Sequence, residues 1–198
     1  MKMLALLSGG IDSAVACYLM AERVEMEYFH LSTDNSLKKA GELVSKIDVD
    51  KKIIYTLDHS YLMHLVKDFM IESKISENYT CIYCKRGMLK SAELLAEKIG
   101  CDAIVTGDNL GQVASQTLRN LYAVDIAVKI PVIRPLIGMD KEEITEIAKK
   151  AGTYEISIRR EEKCRYLPRR PITEAKDRYL KDFNVDSILD KIRVLEVF

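Results

Sequence analysis

A surplus of one charge sign is what this chain most plainly lacks. Its 30 Lys and Arg balance 30 Asp and Glu, for a formal net charge of +0. A global basic field that would announce a nucleic-acid binder is absent, so any such role must rest on a local patch. Glycine and proline are scarce, at 9 and 4, and no low-complexity tract argues for a disordered tail. No apolar stretch approaches the roughly eighteen residues that cross a bilayer. The N-terminal apolar run is too short for a signal peptide, and no small-residue cleavage site follows it. The expectation is a cytoplasmic protein without a membrane partner. Its 5 cysteines (17, 81, 84, 101 and 164) then read as thiols, metal ligands or redox groups rather than structural disulfides. A length of 198 residues suits one α/β domain with a sizeable core.

What is present is an alternation of strand and helix patterns. Met3 to Leu7 is a continuous apolar run that reads as a strand buried on both faces, and Ala14 to Met20 reads as a helix. Glu25–Leu31 and Lys52–Thr56 read as strands, and Leu37–Ile47 and Ser60–Glu72 as helices. Ser73–Thr80 reads as a polar loop ending at Cys81-Ile82-Tyr83-Cys84. Met88, Leu89, Ala92, Leu95, Ala96 and Ile99 then fall at helical spacing before Gly100. Asp102–Thr106, Gln112–Tyr122, Pro131–Ile133 and Lys141–Lys150 complete a strand, helix, strand, helix series. This order predicts a doubly wound parallel five-stranded sheet of Rossmann-like type with right-handed crossovers. Ligands bind such sheets at the carboxyl ends of the strands.

Ser8-Gly9-Gly10-Ile11-Asp12-Ser13 sits at the first strand-to-helix turn. Two glycines let the backbone approach a phosphate, and free N–H groups at the helix start attract the anion. The spacing is neither that of the Walker loop nor that of the dinucleotide fingerprint. It resembles the SGGxDS loop of the PP-loop ATP pyrophosphatases, of the adenine nucleotide alpha-hydrolase (HUP) type, which split ATP between its α and β phosphates. That resemblance implies that Ser8, Gly9, Gly10, Asp12 and Ser13 hold pyrophosphate, and that Asp12 orients Mg2+ or the phosphates.

A second motif, Thr106-Gly107-Asp108-Asn109-Leu110-Gly111-Gln112-Val113-Ala114-Ser115-Gln116-Thr117, follows a strand end. Its glycines allow close backbone approach to a ligand, and Asp108 stands near incoming phosphate or magnesium. The plainer reading is a turn with Asp108 or Asn109 as a helix N-cap. With this run, with Ile130-Pro131-Val132-Ile133-Arg134-Pro135-Leu136-Ile137-Gly138-Met139-Asp140-Lys141-Glu142-Glu143-Ile144, and with Gly152–Ile158, the chain resembles the tRNA 4-thiouridine synthase family over about residues 1 to 175. Family members adenylate the C4 oxygen of a uridine with ATP, release pyrophosphate and put sulfur in place of the activated oxygen. The resemblance implies binding roles for Gly107 and Gln112, a catalytic role for Asp108, and charge stabilisation by Lys141. Composition alone would make Lys141 a solvated lysine at a helix start. Three departures mark the chain. Ala14 stands where the family usually has proline, and the THUMP region and the rhodanese domain are both expected to be missing. The expectation is a stand-alone catalytic domain over 1–175 with a C-terminal helical extension over 176–198, acting with tRNA, a sulfur donor and a separate RNA-binding partner.

Cys81, Cys84 and Cys164 are the candidate sulfur side. A C-x-x-C with a distant third cysteine resembles the iron–sulfur-dependent tRNA thiolases, in which three thiolates hold a [4Fe–4S] cluster with one open iron. A redox disulfide between Cys81 and Cys84, a persulfide on Cys164 beside basic residues, and a zinc completed by His64 are the competing readings. Cys17 and Cys101 read as small buried residues. His30 closes a strand where related domains contact adenosine, or is simply a polar residue at a strand end. His59 reads as a cap or loop residue. Beyond Ile158 the chain turns locally basic, with Arg159, Arg160, Lys163, Arg165, Arg169 and Arg170 as candidate RNA phosphate contacts or merely a solvated face.

Overall fold

The computed structural model describes residues 1–33, 36–47, 52–111, 116–160 and 164–197. In chain order the strands are β1 (Lys2–Leu6), β2 (Glu25–Ser32), β3 (Lys52–Asp58), β4 (Ala103–Val105), β5 (Val132–Ile133) and β6 (Arg193–Val197). The helices are α1 (Ile11–Ala21), α2 (Ser36–Ile47), α3 (His59–Glu72), α4 (Thr80–Ile99), α5 (Leu118–Asp125), α6 (Lys141–Lys150) and α7 (Tyr154–Ser157). The strands form one sheet in the order β5-β4-β1-β2-β3-β6, parallel except for β6.

Period-two geometry divides the apolar strands between two cores. In β1 and just past it, Leu4 and Leu6 join the core beneath α3, α4 and α5, while Met3, Ala5 and Leu7 join the one beneath α1, α2, α6 and α7. Ile104 and its neighbours Ala103 and Val105 split in the same way. A strand covered on both faces needs no polar positions, which is why Met3–Leu7 is uninterrupted.

Three expectations are corrected. A sixth strand exists: β6 runs antiparallel to β3, with Ile54 opposite Leu195. It pairs the edge that β3 would otherwise leave open, and an antiparallel partner needs no crossover helix. Beyond residue 175 the described chain is therefore two 3-10 turns, Asp177–Tyr179 and Asp186–Lys191, and a strand, rather than a helical extension. Second, α4 begins at Thr80, so Cys81 and Cys84 lie inside its first turns and not in a loop. A 3-10 turn, Glu77–Tyr79, leads directly into it, and the Thr80 hydroxyl donates to Glu77 O at 2.6 Å. Third, α5 starts at Leu118, because the Thr117 side chain accepts from Asn120 N at 3.2 Å and caps it.

Buried polar side chains tie the tail across α4 and α5. Asn120, fully buried, accepts from Ala175 N at 2.9 Å and donates to Ile172 O at 3.0 Å. The Tyr83 hydroxyl donates to Tyr179 O at 2.6 Å and accepts from Lys181 N at 2.9 Å. Arg86 donates to Ala123 O at 2.5 Å and to Lys181 O at 3.2 Å. A buried donor or acceptor left unmade costs more than a hydrogen bond ordinarily returns. Asn120→Ala is therefore expected to lower unfolding stability by about 2 kcal/mol, read as a shift of the urea midpoint. An unchanged midpoint would show that the tail is held elsewhere.

Candidate active site

The strand order reverses between β1 and β4, parallel neighbours from which the order runs outward on each side. At such a switch point the loops leaving the two strands part to opposite faces and open a crevice. Ala5 pairs with Val105, so Ser8 and Asp108 emerge at matching distances beyond the pairing.

The first loop closes on itself through its serines. The Ser8 and Ser13 hydroxyls are 2.8 Å apart, Ser8 N donates to Ser13 Oγ at 3.0 Å, and Ser13 Oγ reaches Ser8 O at 3.0 Å. Gly10 caps α1 without a side-chain hydrogen bond, so the first N–H groups of α1 keep no cap of their own. Open donors and the positive helix end together favour an anion there. The serine hydroxyls brace this cradle, and the backbone supplies the donors.

Gly107 is explained by steric contact. A Cβ built on it would lie 2.5 Å from Ser13 N and 2.7 Å from the Asp12 carbonyl carbon. Its close approach is to the backbone of the first loop, and it seats the two loops against each other. Gln112 lies outside the described residues. Asn109 is no N-cap: its side-chain amide, 3% exposed, donates to Met139 O at 2.6 Å and ties this loop to the segment before α6.

Asp108 carries the densest electrostatics. Lys85 Nζ lies 2.7 Å from one carboxylate oxygen, Arg134 Nε lies 3.5 Å from the other, and the Thr106 hydroxyl donates at 3.0 Å. Burial alone would push this carboxyl up, but the Lys85 and Arg134 charges and the Thr106 hydroxyl hold it below its ordinary value. Asp12 behaves oppositely: burial raises it and nearby Asp108 adds to the rise, while Lys141 pulls it back. Asp12, Asp108, Lys85 and Lys141 thus belong to one electrostatic neighbourhood.

Two cavities flank the first loop. One of about 230 Å³ is bordered by Ser8, Gly10, Asp12, Lys85, Gly107 and Asp108. The other, about 540 Å³, is bordered by Gly9, His30, Ser36, His59, Cys164 and Tyr166. Both lie near the volume range of small-molecule sites. His30 is almost wholly buried, with one ring nitrogen 2.8 Å from Leu7 O and the other 2.8 Å from Ser36 Oγ. It offers the wider cavity a ring surface, its nitrogens being already engaged.

Cys164 is exposed at the rim of that cavity, and Cys81 and Cys84 are partly buried. Burial pushes the Cys84 thiol up to about 12, with the neighbouring Cys164 and Cys81 adding to the rise. Burial likewise raises Cys81, and Cys164 is again the next cause. The three sulfurs therefore share a neighbourhood. Among the described residues, however, no three His, Cys, Asp or Glu side chains are gathered as a metal site. The imidazole beside the thiols is His59, whose Nε2 is 3.4 Å from Cys84 Sγ, and not His64, which is exposed on α3. Cys17 and Cys101 are buried, as expected.

Sequence reading missed Lys85, Arg134 and His59. Arg134 stands inside a quoted motif and Lys85 follows Cys84 directly, so their positions were visible and their partner was not.

The model of the thiamine biosynthesis protein (ThiI) family matches residues 1–187. The chain belongs to the ThiI family. A probable tRNA sulfurtransferase of Methanocaldococcus jannaschii is 46% identical over 91% of this chain and 48% of its own length. One from Methanothermobacter thermautotrophicus is 38% identical over 100% of this chain and 52% of its own. This ThiI-family chain thus spans about half the length of the curated relatives it matches. A 4-thiouridine synthetase, solved in complex with RNA and bound ATP, superposes with a TM-score of 0.85 at 30% identity, covering 100% of this chain and 55% of that one. An NAD+ synthetase from Burkholderia pseudomallei, at 13% identity and a TM-score of 0.53, shares the fold. Among the described residues no helix is long and apolar enough to cross a membrane.

Two outcomes follow for this ThiI domain. Gly107→Ala drives a methyl into the backbone of the first loop and must part the two loops, so the melting temperature should fall by several degrees; an unchanged melting temperature would mean that the loops are not seated on this contact. Asp108→Asn should cost about 1–3 kcal/mol of stability near neutral pH. Because the folded carboxyl titrates below its ordinary 3.8, its pairing stabilises the fold fully above that value and is lost as pH falls through the folded pKa. The gap between variant and wild type should therefore close in acid; a gap that persists there would mean that charge is not its source.

Proposed function

We propose that this chain is an ATP-dependent tRNA uridine thiolase, which adenylates the C4 oxygen of a uridine, releases pyrophosphate and replaces the oxygen with sulfur. The observation that carries this reading is a shared wall. Leu6, Ser8 and Met88 border both the cavity of Asp12 and Asp108 and the one on which Cys164 opens. A phosphate-holding loop and an exposed thiol therefore face adjoining space. The names of the relatives support tRNA as the substrate class, and the solved 4-thiouridine synthetase, with RNA and ATP, supports the substrate pair.

In this reading the N–H groups at the start of α1 hold the pyrophosphate portion of ATP. The uridine oxygen attacks the α-phosphorus, the bond to the β-phosphate oxygen breaks, and pyrophosphate leaves with the electron pair while the ring N3 proton passes to solvent. Adenylation matters because AMP is a good leaving group and a carbonyl oxygen is not. Asp12, an oxygen donor beside the phosphate cradle, suits Mg2+, which would offset phosphate charge there. Lys141, near Asp12, adds positive charge to the same side, and His30 walls the adenosine side.

Cys81, Cys84 and Cys164 are assigned the sulfur half. Three thiols and no fourth cysteine nearby fit the donor chemistry of a [4Fe–4S] cluster held through three cysteines, although the sulfurs must draw closer together to bind it. When bound, such a cluster supplies an open iron for an external sulfide. Exposed Arg169 and Arg170 lie on the same segment as Cys164 and suit phosphate contacts to RNA.

The test is incubation of the purified chain with ATP, tRNA transcript and sulfide after anaerobic reconstitution with iron. Pyrophosphate release that depends on tRNA, and 4-thiouridine in the digested nucleosides, are expected. Release that depends on a small amidation substrate and ignores tRNA would sink the reading. Cys81→Ser, Cys84→Ser and Cys164→Ser should each lose bound iron; a colourless, iron-free wild type that still thiolates would mean that sulfide displaces AMP from the activated carbon directly, without a cluster.

A further inference from the structure

The mechanism above leaves Lys85 unused. Lys85 is the residue with a cationic side chain among those described at the rim of the smaller cavity, which it shares with Ser8, Gly10, Asp12 and Asp108. Its side chain is 25% exposed and reaches that space from α4, immediately after Cys84. Its ammonium rests on Asp108 at 2.7 Å.

Asp108 does not depend on Lys85 alone. Arg134 approaches its second oxygen at 3.5 Å and the Thr106 hydroxyl donates at 3.0 Å. If Lys85 swings away, those two still compensate the buried carboxylate. Arg134 lacks the same freedom: it is clamped on Asp125, with Nη1 at 3.0 Å and Nη2 at 2.5 Å from the two carboxylate oxygens, and its side chain is only 10% exposed. Of the two cations on Asp108, one is fixed and the other can be released. Asp108 thus reads less as a magnesium ligand than as a parking site for an ammonium that an incoming phosphate can capture.

We propose that Lys85 is a further catalytic residue, transferring its ammonium from Asp108 to the phosphates of ATP and offsetting the charge that develops as pyrophosphate departs, with Asp108 as its positioning residue. This rests on the reading of the site as an ATP site. No proton need leave Lys85; one ion pair is exchanged for another, and Arg134 keeps Asp108 compensated. A lysine is better suited to the exchange than an arginine, because a compact ammonium on a flexible stem can change partners without losing a bidentate geometry.

The experiment is titration of the full chain with ATP, AMP and adenosine, alongside pyrophosphate release at saturating ATP. For Lys85→Ala, ATP affinity should fall roughly 10- to 100-fold, as for a lost charge-assisted hydrogen bond, while adenosine affinity stays within about twofold. Lys85→Arg should restore part of the ATP affinity. Asp108→Asn should act oppositely on binding, keeping or tightening ATP affinity because the ammonium no longer has to leave a carboxylate, while lowering turnover. Melting temperatures of all variants separate misfolding from these effects. A wild type that prefers ATP over adenosine, with Lys85→Ala and Lys85→Arg unchanged in ATP affinity and rate, overturns the role of Lys85 alone. A wild type that binds ATP no better than adenosine overturns the nucleotide-site reading as well.

Discussion

The contact of Gly107 with the backbone at Asp12 and Ser13 is the constraint on which the rest of the site depends. It holds two loops from two strands at a separation that no side chain permits. The β1–β4 pairing sets how far each loop projects, and the glycine lets them meet. Every functional group then takes its place from that contact: the open N–H groups of α1, Asp12 in its second position, and Asp108 across the cavity. The tight packing of interiors makes such a junction rigid, so the open N–H groups of α1 are held in place in advance.

Around this junction the molecule separates two kinds of chemistry. On the phosphate side, charge is arranged in fixed and exchangeable pairs: Arg134 with Asp125, and Lys85 with Asp108. On the sulfur side, thiols range from exposed Cys164 to Cys84, whose burial holds it as the neutral thiol. α4 reaches both, because Lys85 borders the smaller cavity while the preceding Cys84 lies against His59, which borders the wider one. Activation of an oxygen and delivery of a sulfur need such adjacency, since the activated carbon cannot travel.

Much of the fold was legible because its signals are local. An unbroken apolar strand, a Gly-Gly turn and a helix pattern occupy neighbouring positions, and Met3 to Met20 could be read without tertiary information. The antiparallel β6 was illegible for the opposite reason: Arg193–Val197 becomes a strand only because β3 offers an open edge. The Lys85–Asp108 and His59–Cys84 contacts join residues 23 and 25 positions apart, and nothing in local pattern pairs them.

By itself, the sequence determined the alternating α/β order, the Gly-Gly loop, its companion motif and the family, because each is written in contiguous residues whose backbone needs are specific. Tertiary structure alone decided which cation stands on Asp108, that Gly107 serves a loop-to-loop contact, that both nitrogens of His30 are engaged, and that the imidazole beside the thiols is His59. Those are matters of distance across the sheet edge, and distance between remote residues is set by strand pairing and packing rather than by composition or spacing.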